Sequence, residues 1–125
     1  MSASDPLRDA LTLQRDAAEL GFDWRHLHEL WAKLAEEIEE LKQAVPQGGD
    51  AVEAELGDLL FMVVNLARHL GVDPAAALAR TNAKFTHRFA YVAARLELLP
   101  PIGDARRLDA MEALWLEAKR LEKNG

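Results

Sequence analysis

Proline and glycine stand almost entirely in short breaks, at Pro6, Gly21, Pro46 to Gly49, Gly71, Pro74 and Pro100 to Gly103. Between the breaks apolar side chains recur every third or fourth position. That spacing lines one face of a 3.6-residue helix, whereas a half-buried strand needs strict alternation, and no sustained alternation is present. The chain therefore reads as helices alone. It has 125 residues, half of them apolar and none of them cysteine. A single domain of that size can bury a core without disulfides.

The breaks set the helix ends. A first helix starts near Pro6, capped by Ser4 or Asp5, and ends at Gly21, with Leu7, Leu11, Gln14 and Ala18 on one face. A second runs from about Trp24 to Val45, with Asp23 as cap and Leu27, Leu30, Leu34, Ile38, Leu41 and Val45 as its buried stripe. The third starts from Asp50 as cap and ends at Gly71. It carries Val52, Leu56, Leu59, Leu60, Val63, Ala67 and Leu70 on one side, with Phe61, Met62, Val64 and Leu66 elsewhere around it. A helix apolar nearly all round needs cover on several sides, and a homodimer is the expected cover. The fourth opens at Asp73-Pro74 and continues through Leu78, Phe85, Phe89, Val92 and Leu96 to Pro100. A shorter fifth, from about Asp104 to Lys119 or slightly beyond, completes an all-α bundle of four main helices and a C-terminal one, taken as a single domain over 1–125.

Across the Pro46 to Gly49 turn, Glu40 lies five residues before Val45 and Glu55 five after Asp50; Glu37 and Asp58 are each eight away. In an antiparallel helical hairpin both pairs stand at similar heights, about 1.5 Å of rise per residue from the turn. Helical phase puts Glu37 and Glu40 on one flank of the apolar stripe and Glu36 and Glu39 nearer solvent. Alone, the acidic run is an ordinary solvated face; the matched Glu55 and Asp58 change that reading. Four converging carboxylates repel one another strongly, so they call for a cation. All-oxygen ligands favour a hard ion, Mg²⁺ first with Mn²⁺ as a substitute. Asp58 sits in an otherwise apolar run, where an unpaired buried charge is costly.

On the fourth helix Arg80, Lys84, Arg88, Tyr91 and Arg95 make a basic stripe suited to phosphate, with a solvated flank as the plain alternative. Trp115 and Lys119, four apart, set an aromatic plane beside a cation, an arrangement fit for a base and a phosphate, though such a Trp is more often core. Several other sites are excluded. His28-Glu29 opens like a zinc protease helix, but Ala32 stands where the second His belongs. No Glu precedes a His by three, no glycine-rich phosphate loop occurs, and the four His read as surface or structural. The net charge of −6 argues against polymeric nucleic acid as a partner. The mixed-charge start, Met1 to Arg8, and the longest apolar run, Leu59 to Val64, argue against a leader or a membrane span, so a cytoplasmic location is expected.

Taken together, Glu36-Glu37-Ile38-Glu39-Glu40-Leu41, Glu55-Leu-Gly-Asp58-Leu-Leu-Phe, Asn65 to Gly71 and Asn82-Ala-Lys84-Phe-Thr-His-Arg88-Phe resemble the MazG nucleotide pyrophosphohydrolase family. The similarity runs from Leu13-Gln14-Arg15 and Gly21-Phe-Asp-Trp24 to Leu114-Trp115 and Lys119. It is nearest to the C-terminal catalytic domain of the two-domain members, of which one copy is present. The resemblance implies an all-α, usually dimeric, Mg²⁺-dependent enzyme that hydrolyses nucleoside triphosphates to the monophosphate and pyrophosphate. It implies Glu37, Glu40, Glu55 and Asp58 as metal ligands, Lys84 and Arg88 at the phosphates with Asn82 in support, and Trp115 with Lys119 on the nucleotide. Glu37 or Glu40 is the expected general base. The competing expectation is a nucleotide-binding regulatory dimer without turnover; a purely structural bundle leaves Asp58 and Asn65 without a purpose. Base and sugar preference, metal count, and pairing of dimers into tetramers stay open at this point.

Overall fold

The computed structural model describes residues 4–124; the leading Met1–Ala3, part of the stretch read above for a leader, lies outside them. Five α-helices follow one another: α1 Pro6–Glu19, α2 Leu27–Ala44, α3 Gly49–His69, α4 Pro74–Ala93 and α5 Arg106–Asn124. Single 3₁₀ turns lie at Val45–Gln47 and Leu96–Leu98, and the described residues contain no strand. None of these helices is long and apolar enough to cross a membrane. The chain divides into two compact units, one ending at Ala77 and the other starting at Leu78, so that α4 begins in the first and continues in the second.

In the first unit, α3 packs against both α2 and α1. Asp5 caps α1 by accepting the Arg8 N–H at 3.2 Å, and Pro6 stands where its missing N–H costs nothing. After α1, Gly21 at φ 94° turns the chain back, and the Phe22 N–H reaches the Ala17 carbonyl at 3.0 Å.

The second helix starts at Leu27, three residues later than its apolar pattern suggests, and Asp23 does not cap it. Instead Glu29 reaches back to accept the N–H groups of His26 at 2.8 Å and Arg25 at 3.1 Å. The buried line of α2 is Leu30, Glu37 and Ala44, at heptad spacing, while Leu27, Ile38 and Val45 of the expected stripe are exposed. Pro46 opens its 3₁₀ turn and Gly48, at φ 109°, rather than Asp50, stands as the N-cap of α3; Asp50 lies inside the first turn, where its charge suits the helix dipole.

The third helix corrects the expected core most. Its buried residues are Met62, Val64 and Asn65, and the predicted apolar side is the open one: Leu56, Leu60, Val63 and Leu70 are all exposed. Met62 and Val64 are two residues, about 200°, apart, so α3 is gripped from two sides and bare on a third.

In the second unit, α4 stops at Ala93, short of the expected Pro100, and Val92 is its buried residue, with Phe85 and Phe89 stacked at 5.7 Å and partly exposed. Asp104 accepts the Arg106 N–H at 2.8 Å at the start of α5. That helix reaches Asn124 and at 19 residues is longer than α1, not a short appendage.

Candidate functional site

The α2–α3 hairpin brings three of the four acidic candidates together. Glu37, Glu55 and Asp58 each offer a carboxylate oxygen, and these oxygens all lie within 4.8 Å of one another. Glu37 sits in the buried line of α2 and is only 5% exposed, Glu55 is half-buried, and Asp58 is exposed. The costly buried carboxylate is therefore Glu37, not Asp58 of the apolar run. Phase explains the exchange, because Asp58 is at the outer edge of the α2-facing side of α3, whereas Glu37 points along the line of Leu30 and Ala44.

Glu40 lies beside this trio rather than within it. Desolvation, then the charge of Glu37, a hydrogen bond with Glu37 and the charge of Glu55 push its carboxyl above the usual carboxylate range. Glu36 and Glu39 are exposed, as helical phase requires, and pair with Lys33 and Lys42 at 3.3 and 3.0 Å. Lys33 was not singled out from the sequence, yet its ammonium also lies 3.3 Å from Glu37, four residues on; both glutamates raise its pKa. The i, i+4 spacing was the available signal.

Two buried oxygens of this cluster, Glu37 Oε2 and Glu55 Oε2, have no hydrogen-bond partner. Buried carboxylate oxygens without a donor fit a cation, and an all-oxygen donor set fits a hard divalent one. Lys33 alone balances one of the clustered charges.

In the second unit the predicted basic stripe is partly spent. Arg88 gives its Nε–H to Glu122, at 3.0 and 3.2 Å, and its guanidinium lies 5.8 Å from the Trp115 ring centroid. Trp115 in turn packs against Phe85 at 5.2 Å between centroids. Arg95 falls beyond the end of α4, stacks 3.5 Å over Tyr91 and donates to the Tyr91 carbonyl at 2.8 Å, so it leaves the stripe. Arg80, Asn82, Lys84 and Lys119 are exposed. Glu122, the partner of Arg88, carried no signal in the sequence because the two are 34 residues apart.

A second polar group in the first unit was also missed. The Asp23 carboxylate accepts from Arg68 Nη2 at 2.7 Å and Nη1 at 3.0 Å and pairs with His69 Nε2 at 2.9 Å, which ties the α1–α2 loop to the end of α3. Arg68 also donates to Asn65 Oδ1 at 2.9 Å, and Gln14 Nε2 donates to the Phe61 carbonyl at 2.9 Å. This explains why Asp23 does not cap α2. The hydrogen bond from Arg68, foremost, holds the Asp23 carboxyl far below the usual carboxylate range against the opposing effect of burial. His26 and His28 stack on each other at 5.4 Å and His69 is paired with Asp23.

Comparison with known proteins adds the following. Residues 25–93 match the family described as the MazG nucleotide pyrophosphohydrolase domain. The chain is 42% identical over 124 residues to a nucleoside triphosphate pyrophosphohydrolase of Escherichia coli K12, covering 93% of this chain and 45% of that protein. It is 35% identical over 119 residues to the nucleoside triphosphate pyrophosphohydrolase/pyrophosphatase MazG of Thermotoga maritima, covering 92% of this chain and 46% of that one. An uncharacterized protein of Bacillus subtilis, YabN, is 39% identical over 72 residues, 58% of this chain and 15% of its own length. The chain thus spans about half the length of the first two of these relatives.

Proposed function

This chain belongs to the MazG nucleotide pyrophosphohydrolase family, and from that premise we propose that it hydrolyses nucleoside triphosphates, ribo- or deoxyribo-, to the monophosphate and pyrophosphate. Residues 1–125 act as one catalytic domain in this reading. The observation that carries it is the convergence of Glu37, Glu55 and Asp58, with two buried oxygens unpartnered and Glu40 alongside.

These four carboxylates would hold Mg²⁺, or Mn²⁺ in its place. A divalent ion there supplies Lewis acidity toward the phosphoryl oxygens and toward water. Glu37 is paired with Lys33 at 3.3 Å, which holds its carboxylate in place. Glu40, whose carboxyl is pushed up, is better disposed to take a proton from the attacking water, and we assign it the general-base role. Lys84 and Arg88, with Asn82 in support, would neutralise the phosphates. Trp115 and Lys119 would help hold the nucleotide. Arg88 gives its Nε–H to Glu122, so a phosphate would be met by its terminal N–H groups.

The bare side of α3, Leu56, Leu60, Val63 and Leu70, supports a homodimer, and pairs of dimers would use further apolar surface. A cytoplasmic location, with no membrane or polymeric nucleic acid as partner, completes the reading.

The test is pyrophosphate and monophosphate release from a panel of ribo- and deoxynucleoside triphosphates with Mg²⁺, comparing the natural chain with Glu40→Gln and Asp58→Asn. Metal-dependent release that both substitutions abolish supports the proposal. Nucleotide binding without turnover in the natural chain overturns it in favour of a regulatory dimer.

A further inference from the structure

The α1–α2 loop sets an exposed aromatic ring at the mouth of an apolar cavity. The cavity, about 410 Å³, lies in the first unit between α1, that loop and the later part of α3, and Leu13, Ala17, Phe22, Trp24 and Phe61 form its apolar wall. Three of these side chains are open to water: Phe22 is 84% exposed, Leu13 63% and Phe61 41%. Apolar side chains gathered around one concavity gain by being covered.

We propose that Phe22 is the cover: its ring rotates from solvent into the cavity and plugs it, so that access to this cleft is gated by one side chain. The inference stands apart from the hydrolytic reading, and three observations carry it.

The first is anchoring. The Phe22 N–H donates to the Ala17 carbonyl at 3.0 Å. The next residue, Asp23, is held by Arg68 at 2.7 and 3.0 Å and by His69 at 2.9 Å. The backbone of Phe22 is thereby pinned at the rim from both sides, and the ring alone is left to move, by a step between staggered rotamers.

The second is room. A cavity of roughly 150 Å³ accepts a benzene molecule. The larger volume here takes the phenyl ring of Phe22 without displacing a wall.

The third is the chemistry of the two polar groups that line the cavity. Gln14 gives its amide nitrogen to the Phe61 carbonyl at 2.9 Å, which leaves Oε1 without a donor. Arg68 spends Nη1 and Nη2 on Asp23 and Asn65, which leaves Nε–H without an acceptor. An aromatic ring has a negative face and a positive edge. Its face is a favourable neighbour for a guanidinium and its edge for an amide oxygen, so the plugged ring suits both groups.

The experiment uses nuclear magnetic resonance and dye binding on the full chain. Nuclear Overhauser effects are expected between the Phe22 ring and both the Gln14 side-chain amide and the Phe61 ring, within one copy. Their absence overturns the proposal, and so does their appearance only between differently labelled copies, which would put a second copy in the cleft. The second arm titrates the apolar dye anilinonaphthalenesulfonate. A cavity closed in nine copies of ten weakens an occupant about tenfold, so Phe22→Ser is expected to bind the dye about tenfold more tightly than the natural chain. Leu20→Ser is the control, because Leu20 is 89% exposed on the same loop but is not part of the cavity wall. Equal dye affinity in Phe22→Ser and the natural chain overturns the plug, as does an equal gain in Leu20→Ser. Helical circular dichroism of both variants is expected to match the natural chain, since neither side chain is buried.

Discussion

Lys33 stands 3.3 Å from both Glu36 and Glu37, and only the second of these contacts reaches the acidic cluster. Lys33→Met leaves the Glu37 carboxylate free to rotate, as loss of a supporting contact does around metal ligands generally. A loss of about 10- to 100-fold in divalent-ion affinity is expected, read by titrating Mn²⁺ against its electron spin resonance signal. Asp23 makes a different prediction. Its carboxyl is held far below the unfolded value of about 4, first by the hydrogen bond from Arg68. The folded state therefore binds fewer protons than the unfolded one as pH falls below that value. The stabilisation is complete above about pH 4 and is lost progressively as the solution is acidified further. Asp23→Asn should cost about 1.5–3 kcal/mol at pH 7 and less at pH 3, measured by urea unfolding at both. Helical phase alone separates Glu37 and Glu40 from Glu36 and Glu39, so most of the acidic site is legible in the sequence. The bond between Asp23 and Arg68 is not, because residues 45 apart in sequence meet only through tertiary packing.

At the scale of elements, the α2–α3 turn holds the acidic residues in register. Gly48 has φ 109°, a conformation that disfavours any side chain, whereas Gly49 opens α3 with open space where a Cβ would go. Neighbouring glycines should therefore respond oppositely. Gly48→Ala is expected to lower stability by about 1 kcal/mol or more, and Gly49→Ala to raise it by about 0.5 kcal/mol, as midpoints of thermal unfolding. Proline and glycine positions in the sequence mark this turn and most helix boundaries to within a few residues. The misses have physical causes: Glu29 displaces the start of α2 to Leu27, and α4 unwinds after Ala93 without a proline to mark the place. For α3 the apolar residues surround the axis, so periodicity has no contrast from which to choose the covered face.

For the whole molecule, the face left bare on α3 is the surface on which the proposed homodimer would form. Leu56, Leu60 and Val63 form one line, each more than 40% exposed, and charge placed there meets water in a monomer but apolar surface in a dimer. Leu60→Glu should leave the helical circular dichroism of the chain intact and halve its mass by sedimentation equilibrium. An unchanged mass would put the dimer contact elsewhere. The acidic residues of α2 and α3 belong to the first unit and the candidate phosphate cations to the second.

Glu37 occupies a heptad position that Leu30 and Ala44 fill with hydrocarbon. In the proposed reading, a cation held there beside the Lys33 ammonium would also steady the packing around Glu37, so each tenfold rise in free cation above its dissociation constant would add about 1.4 kcal/mol of stability. Starved of that ion, the chain would open to proteases more readily, and its abundance would record the supply.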